Sequence, residues 1–396
     1  MSITPIRTTQ DPVAVAPSAF LSIDPLMILA AVGLVVCSYV TLKGAVGPQL
    51  ADRQALYAGL GLIAAVLVAS FDYSRLREYR FVAYALLIVL NVAVFAMPSS
   101  LGARRWIPLP LFQFQPSEFG KLLLIIALAG IAVGRGRQLH ERSTTARVML
   151  LALFAAMIVI AQPDIGTGLV YVAIAVSILY FAGTSWKHLT ALAALFVSAT
   201  ALVMLVAPAF GVHLLHGYQE QRLTAFLHPS NSCPTTTSST SADPCYQLHE
   251  SLIAVGSGGK TGVGAAHATQ AKLDFLPEEQ DDFIFAVIAE AYGFVGAALV
   301  LSLYALLIWR ILRVMTMAKN LFGTLIAGGV LAMLMFQVFV NVGMTIGIMP
   351  VTGVPLPLLS YGGSSVLVTF IAIGLLQSIH IQARVASAGK ARLMLS

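Results

Sequence analysis

Apolar residues run along this chain in long blocks, separated by short polar or Gly/Pro-rich breaks. A helix needs about 20 mostly apolar residues to cross a bilayer. By that measure ten blocks are candidate spans: 26–43, 54–70, 79–98, 117–134, 148–162, 166–183, 189–208, 282–308, 321–342 and 364–380. The fifth is short, with soft boundaries. The pattern predicts an all-α integral membrane protein with ten transmembrane helices. Residues 26–380 form one membrane domain, between polar tails at 1–25 and 381–396.

Hydrophobic residues make up 58% of the chain and charged ones 10%, a balance that excludes a string of soluble domains. The formal charge of +6 implies no nucleic-acid partner, because helical membrane proteins use loop Lys and Arg to set their orientation. Segments 71–80 (Arg75, Arg77, Arg80), 135–147 (Arg135, Arg137, Arg142, Arg147), 184–188 (Lys187) and 309–320 (Arg310, Arg313, Lys319) are basic. So is the last tail, with Arg384, Lys390 and Arg392. All of these lie on one side if both termini are cytoplasmic. The longest connection, 209–281 between helices 7 and 8, is then exterior. No cleavable leader pattern precedes residue 26, so the first tail is expected to stay cytoplasmic.

That exterior loop contains NSCPTTTSSTSADPC and five of the eight histidines (His213, His216, His228, His249, His267), which lack tight metal-ligand spacing. Cys233 and Cys245 bracket the Ser/Thr-rich tract, while Cys37 lies in the first span. A Cys233–Cys245 disulfide is expected in an oxidising space.

Candidate chemistry concentrates in a few polar stretches. FLPEEQDDFIFAVIAEAYGF (275–294) carries Glu278, Glu279, Asp281, Asp282 and Glu290. Acids at a helix start suit its dipole, which accounts for Glu278 and Glu279 but not for Glu290, inside the apolar run. SGGKTGVG (257–264) is similar to a phosphate-binding loop, yet Ala254 stands where that motif needs a glycine. Its glycines are better read as allowing tight turns or a close backbone approach. In GARRWIPLPLFQFQPSEFGK (102–121), Arg104 and Arg105 oppose the prevailing charge bias. Glu118 and Lys121, three apart on one helix face, can pair, either as a structural ion pair or as part of a site. Asp164 in QPDIGTG (162–168) reads equally as a helix cap and as a site residue.

The stretch GMTIGIMPVTGVPLPLLSYGGSS (343–365) has Pro350, Pro355 and Pro357 among five glycines. It cannot be a continuous helix, and it is too apolar for a water-exposed loop. Irregular backbone at membrane depth has to be buried in protein or to line a cavity. Ser360, Gly362, Gly363, Ser364 and Ser365 lead into the last helix, where hydroxyls and free N–H groups suit a phosphate or pyrophosphate. A tight packed turn is the alternative.

Taken in order, GARRWIPL…FQPSEFGK, QPDIGTG, YQEQRLTAFLHP, SGGKTGVG, LPEEQDDFIFAVIAE and MPVTGVPLPLLSYGGSS resemble the motifs of the SEDS family (shape, elongation, division and sporulation proteins). PVTGVPLP, and TSW after QPDIGTG, are closer to the elongation, RodA-type branch than to the FtsW-type branch. The resemblance implies a peptidoglycan glycosyltransferase of the bacterial cytoplasmic membrane that polymerises lipid II into glycan strands at the exterior face. It implies Asp282 as the catalytic carboxylate, with Arg104, Glu118, Lys121, Ser364 and Ser365 as substrate-binding positions. It also implies a divalent metal ion, Mg or Mn, with ligands unknown, and a class B penicillin-binding protein transpeptidase as partner. The sequence departs from the family in two places: Glu290 is followed by Ala291 where paired glutamates are common, and the Cys233–Cys245 segment is an insertion. A lipid II flippase is the rival reading, and it would need polar groups along a route across the bilayer.

Overall fold

In a computed structural model the described residues are 23–97, 105–108, 113–135, 141–202, 222, 226, 244–268 and 280–395. Among them the chain is almost wholly helical. Helix α1 (Pro25–Thr41) starts at Asp24, whose carboxylate accepts from the Leu26 and Met27 N–H groups. It runs into a π-helical turn, Leu42–Val46. Helices α2 (Pro48–Ala69) and α3 (Arg80–Ala93) follow, then a two-residue antiparallel ladder of β1 (Ile107–Pro108) and β2 (Gln113–Phe114). Next come α4 (Pro116–Gly134), α5 (Arg142–Ile160), α6 (Ile165–Phe181), α7 (Trp186–Ala201) and α8 (Pro244–Ser257). The last three are α9 (Ile284–Met317), α10 (Leu321–Thr345) and α11 (Gly363–Leu395).

Among the described residues seven helical segments are long and apolar enough to cross a bilayer, and Arg80–Ala96 and Ile165–Phe181 are shorter apolar helices. The chain is a multi-pass membrane protein. Helices α4, α6 and α10 meet at the centre, where Leu124, Ile125, Leu128, Ile174, Ile178 and Val330 are buried. Helix α11 packs on α2, α5 on α6, and α1 on α9. Leu67, Phe81 and Val89 point outward from α2 and α3, as a lipid-facing surface requires.

Several boundaries differ from the sequence expectation: α11 runs to Leu395 instead of residue 380, through the expected polar tail, and α2 starts at Pro48 instead of 54. Helix α9 runs to Met317 instead of residue 308, so Arg310 and Arg313 ride on it and lie over the Trp309 ring. Long basic side chains can stay on a helix and carry their charge to the interface. Helix α5 begins at Arg142, well before 148, because Thr144 and Thr145 are buried with Val148. Helix α8 lies inside the long loop and was not anticipated. It buries Cys245, Leu248, Ser251 and Ala254, a stripe at every third residue that a search for 20-residue apolar runs passes over. It packs on α9 and α10, and the Ser251 hydroxyl donates to Thr345 O at 2.9 Å.

Helix α9 breaks at Gly293 (φ 64°, ψ −160°). SGGKTGVG clasps this break: Phe294 N–H donates to Gly259 O (2.9 Å), and Val263 and Gly264 N–H donate to Glu290 O and Ala291 O (3.0 Å each). A Cβ on Gly258 would stand 1.8 Å from Ala289 O. These glycines permit a backbone-on-backbone contact, and the segment's likeness to a phosphate loop is explained by that.

Candidate functional site

Segment 346–362, between α10 and α11, is irregular, and Val351, Val354, Leu356, Leu358, Leu359 and Ser360 are buried in it. Its prolines remove donors, but its carbonyls still need hydrogen bonds, and an unmet one in hydrocarbon costs several kcal/mol. Four helices supply them. Ser38 of α1 donates to Leu359 O (2.6 Å), Gln54 of α2 to Ser360 O (3.0 Å), Tyr304 of α9 to Pro357 O (2.6 Å) and Asn341 of α10 to Val354 O (2.8 Å). Within the segment, Leu356 N–H donates to the Ser360 hydroxyl at 2.8 Å. The irregular stretch is therefore fixed from all sides.

Asp282 is half-buried in the turn just before α9. Tyr361 N–H donates to Gln280 O (2.8 Å), and Asn341 donates to Asp282 O (2.8 Å), so this turn is tied to the irregular segment and to α10. Gly353 (φ +71°) faces the carboxylate: a Cβ there would stand 3.2 Å from Asp282 Oδ2 and 3.6 Å from Arg222 Nη1. A carboxylate and a guanidinium thus converge on one glycine.

A second group joins the starts of α4, α6 and α11. The Ser364 hydroxyl accepts from Gln115 N–H and donates to Gln113 O, both at 2.9 Å. Buried Asp164 accepts from Thr167 N–H (3.1 Å), capping α6, and from Gln115 Nε2 (3.4 Å) and the Ser117 hydroxyl (3.5 Å). Asp164 therefore caps α6, as the capping reading expects, and also ties down the QPSEF segment. Arg105 donates to Gln162 O (3.2 Å) and to Pro163 O, joining the two motifs again. One turn into α4, Lys121 Nζ is 2.5 Å from Glu118 Oε1, and the two side chains are 1% and 3% exposed. Ser365 is buried, and the Thr369 hydroxyl donates to its carbonyl at 2.8 Å.

The two groups touch. A Cβ on Gly166 of α6 would lie 2.4 Å from Val354 Cγ2 and 3.0 Å from Thr352 O, so Asp164 and the Asp282–Gly353 pair flank one short piece of backbone. All of this lies at the end of the bundle where α4, α6, α9 and α11 begin. Among the described residues no three His, Cys, Asp or Glu side chains group as metal ligands. An octahedral Mg²⁺ held mainly by substrate phosphates and waters asks for only one or two carboxylates, so such a metal does not require a group of that kind here. Cys245 is disulfide-bonded and Cys37 is free, while Cys233 and Arg104 lie outside the described residues. The histidines at 213, 216 and 228 also lie outside them, and His249 and His267 are exposed.

A family model described as "Cell cycle protein" (FTSW_RODA_SPOVE) matches residues 18–385. The chain belongs to this family. Its FtsW/RodA/SpoVE relatives include the Escherichia coli K12 peptidoglycan glycosyltransferase MrdB, 36% identical over 92% of this chain and 95% of that protein. A probable peptidoglycan glycosyltransferase FtsW of Thioalkalivibrio sulfidiphilus is 38% identical over 83% of this chain and 79% of its own length. A solved peptidoglycan synthase complex, described as coordinating polymerization and crosslinking, has a similar chain: TM-score 0.76, 32% identity, 92% of this chain and 99% of that one. Thermus thermophilus RodA matches with TM-score 0.65 and 29% identity, covering 91% of this chain and 97% of its own.

Within this FtsW/RodA/SpoVE chain, three site residues escaped the sequence reading. Arg222 sits in YQEQRLTAFLHP, where nothing local sets it apart from the polar residues around it. Asn341 is a polar residue in an apolar helix, and that alone could have marked it. Gly353 looked like one of several helix-breaking glycines, and only its position against Asp282 Oδ2 distinguishes it.

Proposed function

We propose that this chain is a peptidoglycan glycosyltransferase that polymerises lipid II at the exterior face of the bacterial cytoplasmic membrane, in cell elongation and shape maintenance. The observation that carries this reading is the gathering of Asp282, Arg222, Asp164 and Ser364 at a single end of the bundle, in a chain of this family. We read ten spans with both termini cytoplasmic, which makes that end exterior; the basic segments support this orientation. A flippase would need polar groups through the middle, and there Leu124, Ile125, Leu128, Ile174 and Val330 close the interior.

The reaction removes a proton from the acceptor sugar's hydroxyl as the lipid pyrophosphate leaves the donor's anomeric carbon. Asp282 takes that proton as general base, a role worth about 10²–10⁴-fold in rate. Attack on the face opposite the leaving group inverts the anomeric centre. Arg104, Lys121, Ser364 and Ser365 are assigned to the donor pyrophosphate, with Glu118 orienting Lys121. A bound Mg or Mn ion, held mainly by the pyrophosphate oxygens and water, would neutralise the leaving group. The relative in the synthase complex belongs to an assembly described as coupling polymerization to crosslinking. We infer a class B penicillin-binding protein transpeptidase as this chain's partner.

The test is lipid II in detergent micelles with purified protein, a divalent cation and the transpeptidase. Long glycan chains from the parent, and none from Asp282→Asn, are expected. If both left lipid II unchanged while the parent moved it across liposome membranes, the flippase would replace the polymerase.

A further inference from the structure

We propose that Asn341 is a positioning residue for Asp282, an inference that rests on the polymerase reading. Asn341 lies four residues before the end of α10 and is completely buried. Its amide nitrogen donates to Asp282 O and to Val354 O, each at 2.8 Å. That nitrogen carries two hydrogens, one for each carbonyl. Among the described residues the amide oxygen accepts no hydrogen bond. Turning the amide over would set that oxygen against two carbonyl oxygens, so the acceptors fix its orientation.

The tie matters because of where the α9 ladder begins. Ala286 and Val287 N–H both donate to Phe283 O (2.9 and 3.2 Å). Asp282 stands one residue before that carbonyl, so the helix itself does not hold it. Asn341 binds Asp282 to the irregular segment one residue from Gly353, the glycine that its carboxylate faces. Beside the Tyr361–Gln280 tie two residues earlier, this side chain fixes the backbone of Asp282 itself against the wall opposite it. Displacing a reacting group by about 1 Å can lower the rate by about 10²-fold.

Tyr304 provides the comparison. Its hydroxyl also holds a carbonyl of the segment, Pro357 O at 2.6 Å, but not the 280–283 turn. In steady-state polymerisation of lipid II, Asn341→Leu should lower kcat by about 10²-fold while KM stays within about twofold. Tyr304→Phe, at a similar loss of Tm, should stay within about threefold of the parent rate. Asn341→Asp adds a pH readout. The new carboxyl donates to a carbonyl only when protonated, and burial favours the protonated form. The ratio of its rate to the parent's should therefore rise as pH falls, although the general base favours higher pH. If Asn341→Leu does not fold, that ratio decides alone.

The positioning role is overturned if Asn341→Leu keeps the parent rate, or raises KM at constant kcat. It is also overturned if the two variants lose rate in step with Tm, or if the Asn341→Asp ratio does not change with pH. A parent protein that made no polymer would overturn the polymerase reading itself, and the tie would lose its catalytic meaning with it. An active parent beside an equally active Asn341→Leu variant would overturn the tie alone.

Discussion

Where α1 starts and α9 approaches its end, the Asp24 carboxylate caps α1 and pairs with Arg310, Nη2 to Oδ2 at 2.5 Å. Gln377 of α11 holds the Asp24 backbone from both sides, at 2.9 and 3.1 Å. This buried pair thus joins three helices and satisfies a helix terminus. At the opposite end, Glu118 and Lys121 are just as close and more fully buried than Arg310, yet they lie three residues apart on one helix. Their pairing joins no two elements. Burying an ion pair carries a desolvation penalty that its attraction barely offsets. At the Asp24 end that penalty is offset by architecture. At the site end no architectural return is evident, and the proposed contact with an anionic substrate supplies the reason for the pair.

The sharpest way to break this contrast is at Asp282. Asp282→Asn should lower polymerisation by about 10²–10⁴-fold without changing Tm, while neighbouring Asp281→Asn should leave most of the activity. Lipid II turnover and thermal unfolding of the same preparations check both. An active Asp282→Asn protein would remove the reason to call this end the site.

The ion pairs come next. Lys121→Met and Arg310→Met should each destabilise by about 3–5 kcal/mol, because each leaves a buried carboxylate uncompensated. Neutralising the partner as well should recover stability in both cases, and Asp24→Asn keeps an oxygen for the α1 cap. The double variants should then part: Asp24→Asn/Arg310→Met active, Glu118→Gln/Lys121→Met inactive with weakened lipid II binding. If the second double variant were also active, the Glu118–Lys121 pair would be structural after all.

A smaller effect separates two glycines. Gly353 (φ +71°) and Gly183 (φ +85°) share a left-handed conformation, but a Cβ on Gly183 meets nothing within 4 Å. Alanine at either should cost about 1–2 kcal/mol of backbone strain. Only Gly353→Ala also pushes a methyl against Asp282, so it alone should lose about 10²-fold in rate. Equal rates for the two variants would mean that the approach to Asp282 is unimportant.

The membrane architecture was legible in the sequence because burial in lipid acts on each helix separately: an apolar run of sufficient length declares itself without reference to its neighbours. For the same reason the prolines and glycines of 343–365 announced a break, and Glu118 and Lys121, three apart, announced a pair. Helix α8 was not legible, because its apolar stripe is completed only by α9 and α10. Nor was the purpose of SGGKTGVG, whose partner is the helix break at Gly293, about thirty residues further on. What the tertiary structure alone decided is which distant groups meet. Asn341 acquires its meaning from two carbonyls, 59 and 13 residues away, and Asp282 from a glycine on another segment. Local patterns record how a residue suits its own helix, whereas a hydrogen bond between segments depends on how the helices pack.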